Sequence, residues 1–163
     1  MPTPNPRSHC DAAPGAPGRV EAFGASEGRP RLIIADDDLI IKMLLSASLS
    51  QEFEVIGVAG DSEEAIELAG RTQPDVALVD VEMPKGGGLG AVTGIVEVAA
   101  DTAIVMFSGD ESDTTVRSFI AAGAAAYCRK GIDPEELCGL LKHAIDVKAK
   151  ERERSRRSLA PPA

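Results

Sequence analysis

Polar side chains stand at the ends of four apolar segments of this chain, and their types suit chemistry on an anionic group. They are Asp36 and Asp37 after "RLIIA", Asp80 in "DVALVD", Ser108 in "TAIVMFS" and Lys130 after "AAYC". Clustered carboxylates repel one another unless a cation joins them, and Mg²⁺ prefers a few oxygen ligands with waters completing an octahedron. We therefore expect Asp37 and Asp80 to bind Mg²⁺ directly, with Asp36 beside them and the backbone carbonyl of Glu82 as a third ligand.

The same side chains could accept a phosphoryl group. A magnesium ion neutralises the charge on an incoming phosphoryl group, while the Ser108 hydroxyl and the Lys130 amine supply donors around its oxygens. Asp80 is then the expected nucleophile, which forms an acyl phosphate. The run Gly86–Gly88 predicts a loop after Asp80 that can move when the charge arrives.

Alternating strand and helix patterns must position these residues. Apolar runs predict strands at 31–35, 54–59, 75–80, 102–108 and 125–128. Helical spacing and capping patterns predict helices at 39–50, 61–70, 89–100, 112–123 and 133–145. This alternation indicates a parallel sheet covered by helices on both faces. In such a sheet the site lies at the carboxyl ends of the strands, where all the polar side chains above are found.

Capping residues mark where several helices begin. Asp38, Asp61 and Asp133 are the expected N-caps, the last two in capping-box arrangements with Glu64 and Glu136. Apolar residues at helical spacing support the first helix, and they are Ile40, Met43, Leu44 and Ala47.

Charge is distributed unevenly along the 163 residues. The segment 31–148 holds nine basic and 21 acidic residues, a balance of -12, whereas 149–163 carries +3. An acidic domain repels DNA phosphates, and an aromatic content of 3% argues against a stacking platform for nucleic acid. Residues 1–30 are rich in Pro, Gly and Ala and predict a disordered tail. The segment 149–163 is expected to be a basic helical extension or tail.

Cysteine content and hydropathy indicate a cytoplasmic protein. The three cysteines, Cys10, Cys128 and Cys138, are odd in number and form no spaced pairs, which fits a reducing compartment. We expect Cys128 and Cys138 to be packing residues. No run approaches ~18 consecutive apolar residues, and the N-terminus has no apolar core of a signal peptide, so neither a membrane span nor secretion is expected.

Taken together, the motifs resemble the receiver domain of two-component response regulators, over about Arg31 to Lys148. "IIADDD" is similar to the family's acidic segment, and "DVALVDVEMP", followed by Gly88, to its phosphoacceptor strand and loop. "VMFSG" is similar to the strand that ends in a hydroxyl residue. "AAYCRKG" is similar to the segment with a switch aromatic, here Tyr127, and a lysine, here Lys130.

The resemblance implies both a fold and a function. The fold is flavodoxin-like, a doubly wound five-stranded parallel sheet of order 2-1-3-4-5. A histidine kinase or histidine phosphotransfer protein would phosphorylate Asp80 with Mg²⁺, and Ser108 and Tyr127 would rearrange together. We expect the 112–145 face to pass the change to a partner protein or to a second copy in a homodimer. Only 15 residues follow Lys148, so the expectation is a stand-alone receiver without a DNA-binding domain, and no enzyme beyond its own phosphotransfer and dephosphorylation.

Two other functions fit part of the sequence. "DDD" is similar to the Asp-x-Asp motif of haloacid dehalogenase phosphatases, but Ile40 stands where that motif wants Thr or Val, and no cap domain is present. The other is a phosphorylation-independent binding module on a receiver fold. Degenerate receivers of that kind usually lose an acid or the lysine, whereas this chain keeps them all.

Overall fold

The computed structural model describes residues 28–109 and 112–159, in which five strands and five helices alternate. The strands are β1 (Arg31–Ala35), β2 (Glu54–Ala59), β3 (Val76–Asp80), β4 (Ala103–Ser108) and β5 (Ala126–Arg129). The helices are α1 (Leu39–Leu49), α2 (Ser62–Thr72), α3 (Gly87–Val98), α4 (Asp113–Ala122) and α5 (Pro134–Leu159). Apart from residues 28–30, the predicted disordered tail lies outside the described residues, as does Cys10.

The five strands form one parallel sheet in the order β2-β1-β3-β4-β5. This order confirms the predicted fold class. Strand β2 lies on one side of β1, whereas β3, β4 and β5 follow on the other side. The direction in which strands are added therefore reverses between β1 and β3. Ala35 pairs with Val79 across that point, which brings Asp36 and Asp80 to the same level at the carboxyl edge.

Two apolar layers cover the sheet and explain why its central strands are apolar throughout. Strand β3 is buried along its whole length, with alternate residues directed to opposite layers. Helices α2, α3 and α4 cover one face through residues such as Leu68, Ile95 and Phe119. Helices α1 and α5 cover the other face through residues such as Leu49 and Leu141. A strand covered on both faces has no polar side, so periodic alternation is absent from its sequence.

Helix α1 forms as predicted, but the apolar residues that predicted it from their helical spacing do not lie on its buried face. Leu49 is buried, and Ile41 and Leu45 pack half-buried on the core. The four residues of the pattern are exposed instead, namely Ile40, Met43, Leu44 and Ala47. We call the exposed set Leu39, Ile40, Met43 and Leu44 the α1 apolar patch, since each of its side chains is 62–68% exposed.

The predicted caps are present, and the main differences from the predicted bounds are at the start of α3 and the end of α5. Asp38 accepts the N–H groups of Ile40 and Ile41, and Asp61 accepts that of Glu64 at 2.9 Å. Helix α3 begins at Gly87, within the glycine run. Helix α5 continues to Leu159. None of the described helices is both long and apolar enough to cross a membrane.

Candidate functional site

Three carboxylates meet at the carboxyl edge of the sheet, where β1 and β3 end. Asp36 and Asp80 are almost completely buried, at 1% and 2% exposure, and Asp37 is exposed. One oxygen of each carboxylate lies within 4.8 Å of those of the other two. Asp38 does not join them, because its carboxylate caps α1. The sheet topology therefore assembles the acidic cluster that the sequence predicted.

The ammonium of Lys130 lies between the two buried acids. Its Nζ is 3.0 Å from Asp36 Oδ2, to which it donates a hydrogen bond, and 3.2 Å from Asp80 Oδ2. The second contact is an ion pair without hydrogen-bond geometry, so Asp80 Oδ2 is a buried oxygen with no donor among residues 28–109 and 112–159. The centroid of the Phe107 ring lies 5.6 Å from the same ammonium, within the range of a cation–π contact.

Burial and ion pairing have opposing effects on the pKa values of Asp80 and Lys130. Burial raises the pKa of Asp80 above its ordinary value; the nearby Asp36 carboxylate raises it further, while the Glu82 N–H and Lys130 lower it only in part. Burial alone would lower the pKa of Lys130, but the adjacent carboxylates of Asp36 and Asp80 outweigh burial and raise it. Lys130 is therefore a stable cation, whereas ionised Asp80 is incompletely compensated.

The donor set fits a magnesium ion. Three carboxylates face a single ammonium, and one buried carboxylate oxygen has no hydrogen-bond donor in the described part of the chain. Hard oxygen ligands of this number suit Mg²⁺. Asp36, Asp37 and Asp80 would hold the ion. Glu82 follows in the next loop, and its N–H is fixed to Asp80 Oδ1 at 3.2 Å.

Ser108 and Tyr127 lie on the neighbouring strand pair. Ser108 is 2% exposed and ends β4. Its backbone carbonyl accepts a hydrogen bond from the backbone N–H of Lys130 at 2.7 Å. Tyr127 is half-buried on β5, with its ring 6.3 Å from that of Phe119 on α4. The structure thus links Ser108 directly to Lys130 and places Tyr127 against α4.

Glycine after Asp80 serves packing as well as conformational freedom. Gly88 is buried in the first turn of α3, and a Cβ there would lie 2.7 Å from Val81 Cα and 2.9 Å from the Asp80 carbonyl oxygen. Gly86 and Gly87 have φ values of +110° and +66°. Gly86 and Gly87 thus adopt left-handed conformations that favour glycine, and Gly88 allows α3 to approach the site, while movement of the loop on phosphorylation stays a prediction.

The α1 apolar patch is a feature that the sequence pattern did not identify. It begins at Leu39, directly after the cap Asp38 and two residues after Asp37 of the acidic cluster. A helix shows the same three- and four-residue spacing whether its apolar stripe faces the core or the solvent. Only the position of the sheet distinguishes the two cases.

Comparison with known proteins identifies the family. The profile of the response regulator receiver domain matches residues 32–142. The transcriptional regulatory protein PdtaR of Mycobacterium tuberculosis is 34% identical over 116 residues, which cover 71% of this chain and 56% of that protein. The response regulator GacA of Pseudomonas aeruginosa is 31% identical over 117 residues, which cover 71% and 55%. This chain therefore spans about half the length of these curated relatives.

Solved structures show the same fold. A CheY-like receiver domain protein from Methanospirillum hungatei matches with a TM-score of 0.70 and 25% identity, over 76% of this chain and 99% of that one. The response regulator domain of Thermotoga maritima CheB matches with a TM-score of 0.68 and 26% identity, over 73% and 98%. Sequence profile, relatives and fold agree with the cluster at the sheet edge, and the chain belongs to the receiver domain family of two-component response regulators.

Proposed function

We propose that this receiver domain is the phosphoacceptor of a two-component phosphorelay and that Asp80 accepts the phosphoryl group. One observation carries the proposal. Asp80 Oδ2 is buried, has no hydrogen-bond donor among the described residues and lies 3.2 Å from Lys130 Nζ. A carboxylate oxygen that is desolvated and free of donors beside a fixed cation is suited to nucleophilic attack on a phosphoryl group.

In the proposed reaction a carboxylate oxygen of Asp80 attacks the phosphorus of a phosphohistidine. The new P–O bond forms as the P–N bond breaks, and the imidazole nitrogen keeps the electron pair. Magnesium, when bound, neutralises charge on the phosphoryl oxygens. Lys130 pairs with the phosphoryl group in place of ionised Asp80, and the Ser108 hydroxyl donates to another oxygen. Water later hydrolyses the acyl phosphate, and we propose no further enzymatic activity.

The proposed donor is a histidine kinase or histidine phosphotransfer protein that covers the α1 apolar patch. The patch begins at Leu39, two residues after Asp37 of the acidic cluster, so the two features are close along the chain. Four neighbouring apolar side chains exposed by 62–68% form a surface that is unfavourable in water. A protein that brings phosphohistidine to Asp80 would bury it.

Labelling followed by intact mass tests the acceptor role and separates it from its rivals. The full chain is treated with acetyl phosphate and Mg²⁺, and we expect a gain of one phosphate that EDTA prevents. Turnover of a phosphate ester without a stable gain would instead support the phosphatase. No mass change with either acetyl phosphate or a cognate kinase would support the phosphorylation-independent binding module.

A variant of the patch tests the protein donor separately. Ile40→Glu places a charge in the apolar surface, and we expect transfer from a cognate kinase to fall at least about tenfold. Labelling by acetyl phosphate should not change, because the small donor does not need the patch. Ile120→Glu is the matched control, since Ile120 is an exposed apolar residue of α4. Equal transfer to parent and Ile40→Glu proteins would refute this surface.

A further inference from the structure

A charged contact fastens the loop after Asp80 to the start of α2. Lys85 Nζ lies 3.0 Å from Asp61 Oδ2 and 3.4 Å from Glu63 Oε2, an arrangement we call the Lys85 clasp. The Asp61 side chain is 13% exposed and that of Lys85 53% exposed, so solvent screens this pair in part. Lys85 itself has a φ of +59°, a left-handed conformation that non-glycine residues seldom adopt. The contacts of its side chain help to hold it there.

Backbone hydrogen bonds fix the same loop on both sides of the Glu82 carbonyl. Before it, the Glu82 N–H donates to Asp80 Oδ1 at 3.2 Å. After it, the Pro84 carbonyl accepts the Ser62 N–H of α2, also at 3.2 Å. The path of the chain past the acidic cluster therefore depends on α2 as well as on β3.

We propose that Lys85 is a positioning residue for the metal site. Through its clasp with Asp61 and Glu63 it holds the loop so that the Glu82 carbonyl stays beside Asp80 as a magnesium ligand. The inference rests on the proposed function and on the expectation from the sequence that this carbonyl binds the ion together with Asp37 and Asp80. It adds α2 to the elements that determine metal affinity, although no residue of α2 lies in the acidic cluster.

The direction in which Mg²⁺ affinity changes when Lys85 is replaced distinguishes a positioning role from a purely electrostatic one. Lys85 carries a positive charge on the loop that borders the cluster, and a positive charge repels Mg²⁺. If the charge acted only through its field, removing it would strengthen magnesium binding. If it positions the carbonyl, removing it weakens binding, because one ligand is no longer held in place.

The test is a calorimetric titration of Mg²⁺ into the full chain without any phosphodonor. We expect Lys85→Met to weaken Mg²⁺ binding about tenfold, and Lys85→Arg to restore most of the affinity. In the metal-free protein, amide exchange of Gly88 should quicken in Lys85→Met, since the Gly88 N–H closes the loop on the Val81 carbonyl. Arg71→Met is the matched control, because it removes an exposed ion pair with Glu67 at the other end of α2.

Two variants on the partner side keep the test decisive if Lys85→Met folds poorly. Asp61→Asn retains a good N-cap but loses the charge, and Glu63→Gln changes only an exposed side chain. Both should quicken amide exchange of Gly88 in the metal-free protein, Asp61→Asn more strongly, whereas the loss of a negative charge without a change in the loop would leave that exchange unaltered. Unchanged or tighter binding in Lys85→Met would overturn the inference. Failure of the parent to accept phosphate, with weaker Mg²⁺ binding in Lys85→Met, would refute the proposed function but not the clasp.

Discussion

At the scale of single residues, Asp80 is held in an electrostatically unfavourable state. Burial raises its pKa, and Lys130 and the Glu82 N–H compensate only in part. At neutral pH the ionised carboxylate therefore reduces the stability of the metal-free fold. A cation or a phosphoryl group that enters the site relieves this cost, so the residue that destabilises the resting domain is the one suited to respond.

Asp80→Asn should abolish phosphate uptake and raise the melting temperature of the metal-free protein at pH 7. The folded pKa of Asp80 is raised, so its destabilisation is absent below the unfolded pKa of about 3.9 and grows as the pH rises through the folded value. The gain in stability from Asp80→Asn should therefore be present at neutral pH and disappear on acidification. Thermal unfolding of both proteins across pH measures it. A gain independent of pH, or normal labelling of the variant, would contradict this account.

Lys130→Ala should uncouple phosphorylation from its effects. The substitution leaves the buried carboxylates of Asp36 and Asp80 without a cation, and we expect a loss of about 1–3 kcal/mol in stability. The phosphoryl group would also lose its link to the backbone of β5. Partner binding is measured with and without phosphorylation, and Lys142→Ala, which breaks a surface pair with Glu52, is the control. If Lys130→Ala binds the partner as the parent does, Lys130 does not couple phosphorylation to partner binding.

At the scale of elements, close packing explains why α3 is rich in glycine. Helix α2 lies so near that a Cβ on Gly94 would clash with the Ile66 side chain, and one on Gly90 would lie 3.3 Å from Ser62 Oγ. Glycine lowers helix propensity by about 1 kcal/mol relative to alanine. Here this loss accompanies a close approach that larger residues would prevent, so the weak helical pattern at 89–100 reflects tertiary packing.

Gly88→Ala should destabilise the fold and slow phosphorylation. Its Cβ would meet backbone atoms of Val81 and Asp80 below 3.0 Å, and backbone cannot rotate away as a side chain can. We expect a loss of about 1–3 kcal/mol, measured by urea unfolding, together with slower labelling by acetyl phosphate. Gly139→Ala in α5 is the control, because nothing lies within 4 Å of its Cβ position. It should stabilise by about 0.5–1 kcal/mol, and equal effects of the two changes would argue against the packing explanation.

At the scale of the whole molecule, an acidic domain continues into a basic helix. Segment 31–148 carries -12, and the last turns of α5 are basic. Beyond its core contacts, the helix is joined to the domain by an ion pair between Arg152 and Asp101 at 3.3 Å. Phosphorylation of Asp80 would add about -1.5 to -2 charges at the carboxyl edge of the sheet, which is the edge opposite to this ion pair.

The 112–145 face should change on phosphorylation and then bind a partner or a second copy more tightly. Lys130 joins the site to β5, and Tyr127 on β5 packs near Phe119 of α4, so displacement at the site can reach this face. Such a switch needs a bias of only a few kcal/mol. Hydrogen exchange with and without beryllofluoride, an analogue of the phosphoryl group, measures it. Altered protection confined to α2 would exclude this route.

The sequence by itself determined the order of elements, the helix caps and the acidic cluster. Caps and periodicity depend on neighbours within about four residues, so they can be read locally. Even the approach of Lys130 to the acidic cluster, where it meets Asp36 from 94 residues away, follows from the order of elements. Its reason is topological, because parallel strands bring all their carboxyl ends to one edge.

Only the tertiary structure decided which surfaces those local patterns face. The pattern of α1 is apolar on its exposed side, and the position of the sheet alone shows this. Lys85 meets Asp61 because the loop after β3 crosses the start of α2, and no short-range pattern joins residues 24 positions apart. Gly88 is required by atoms of Val81 and Asp80 that close in only when α3 packs. These contacts depend on distances between elements, which local sequence does not encode.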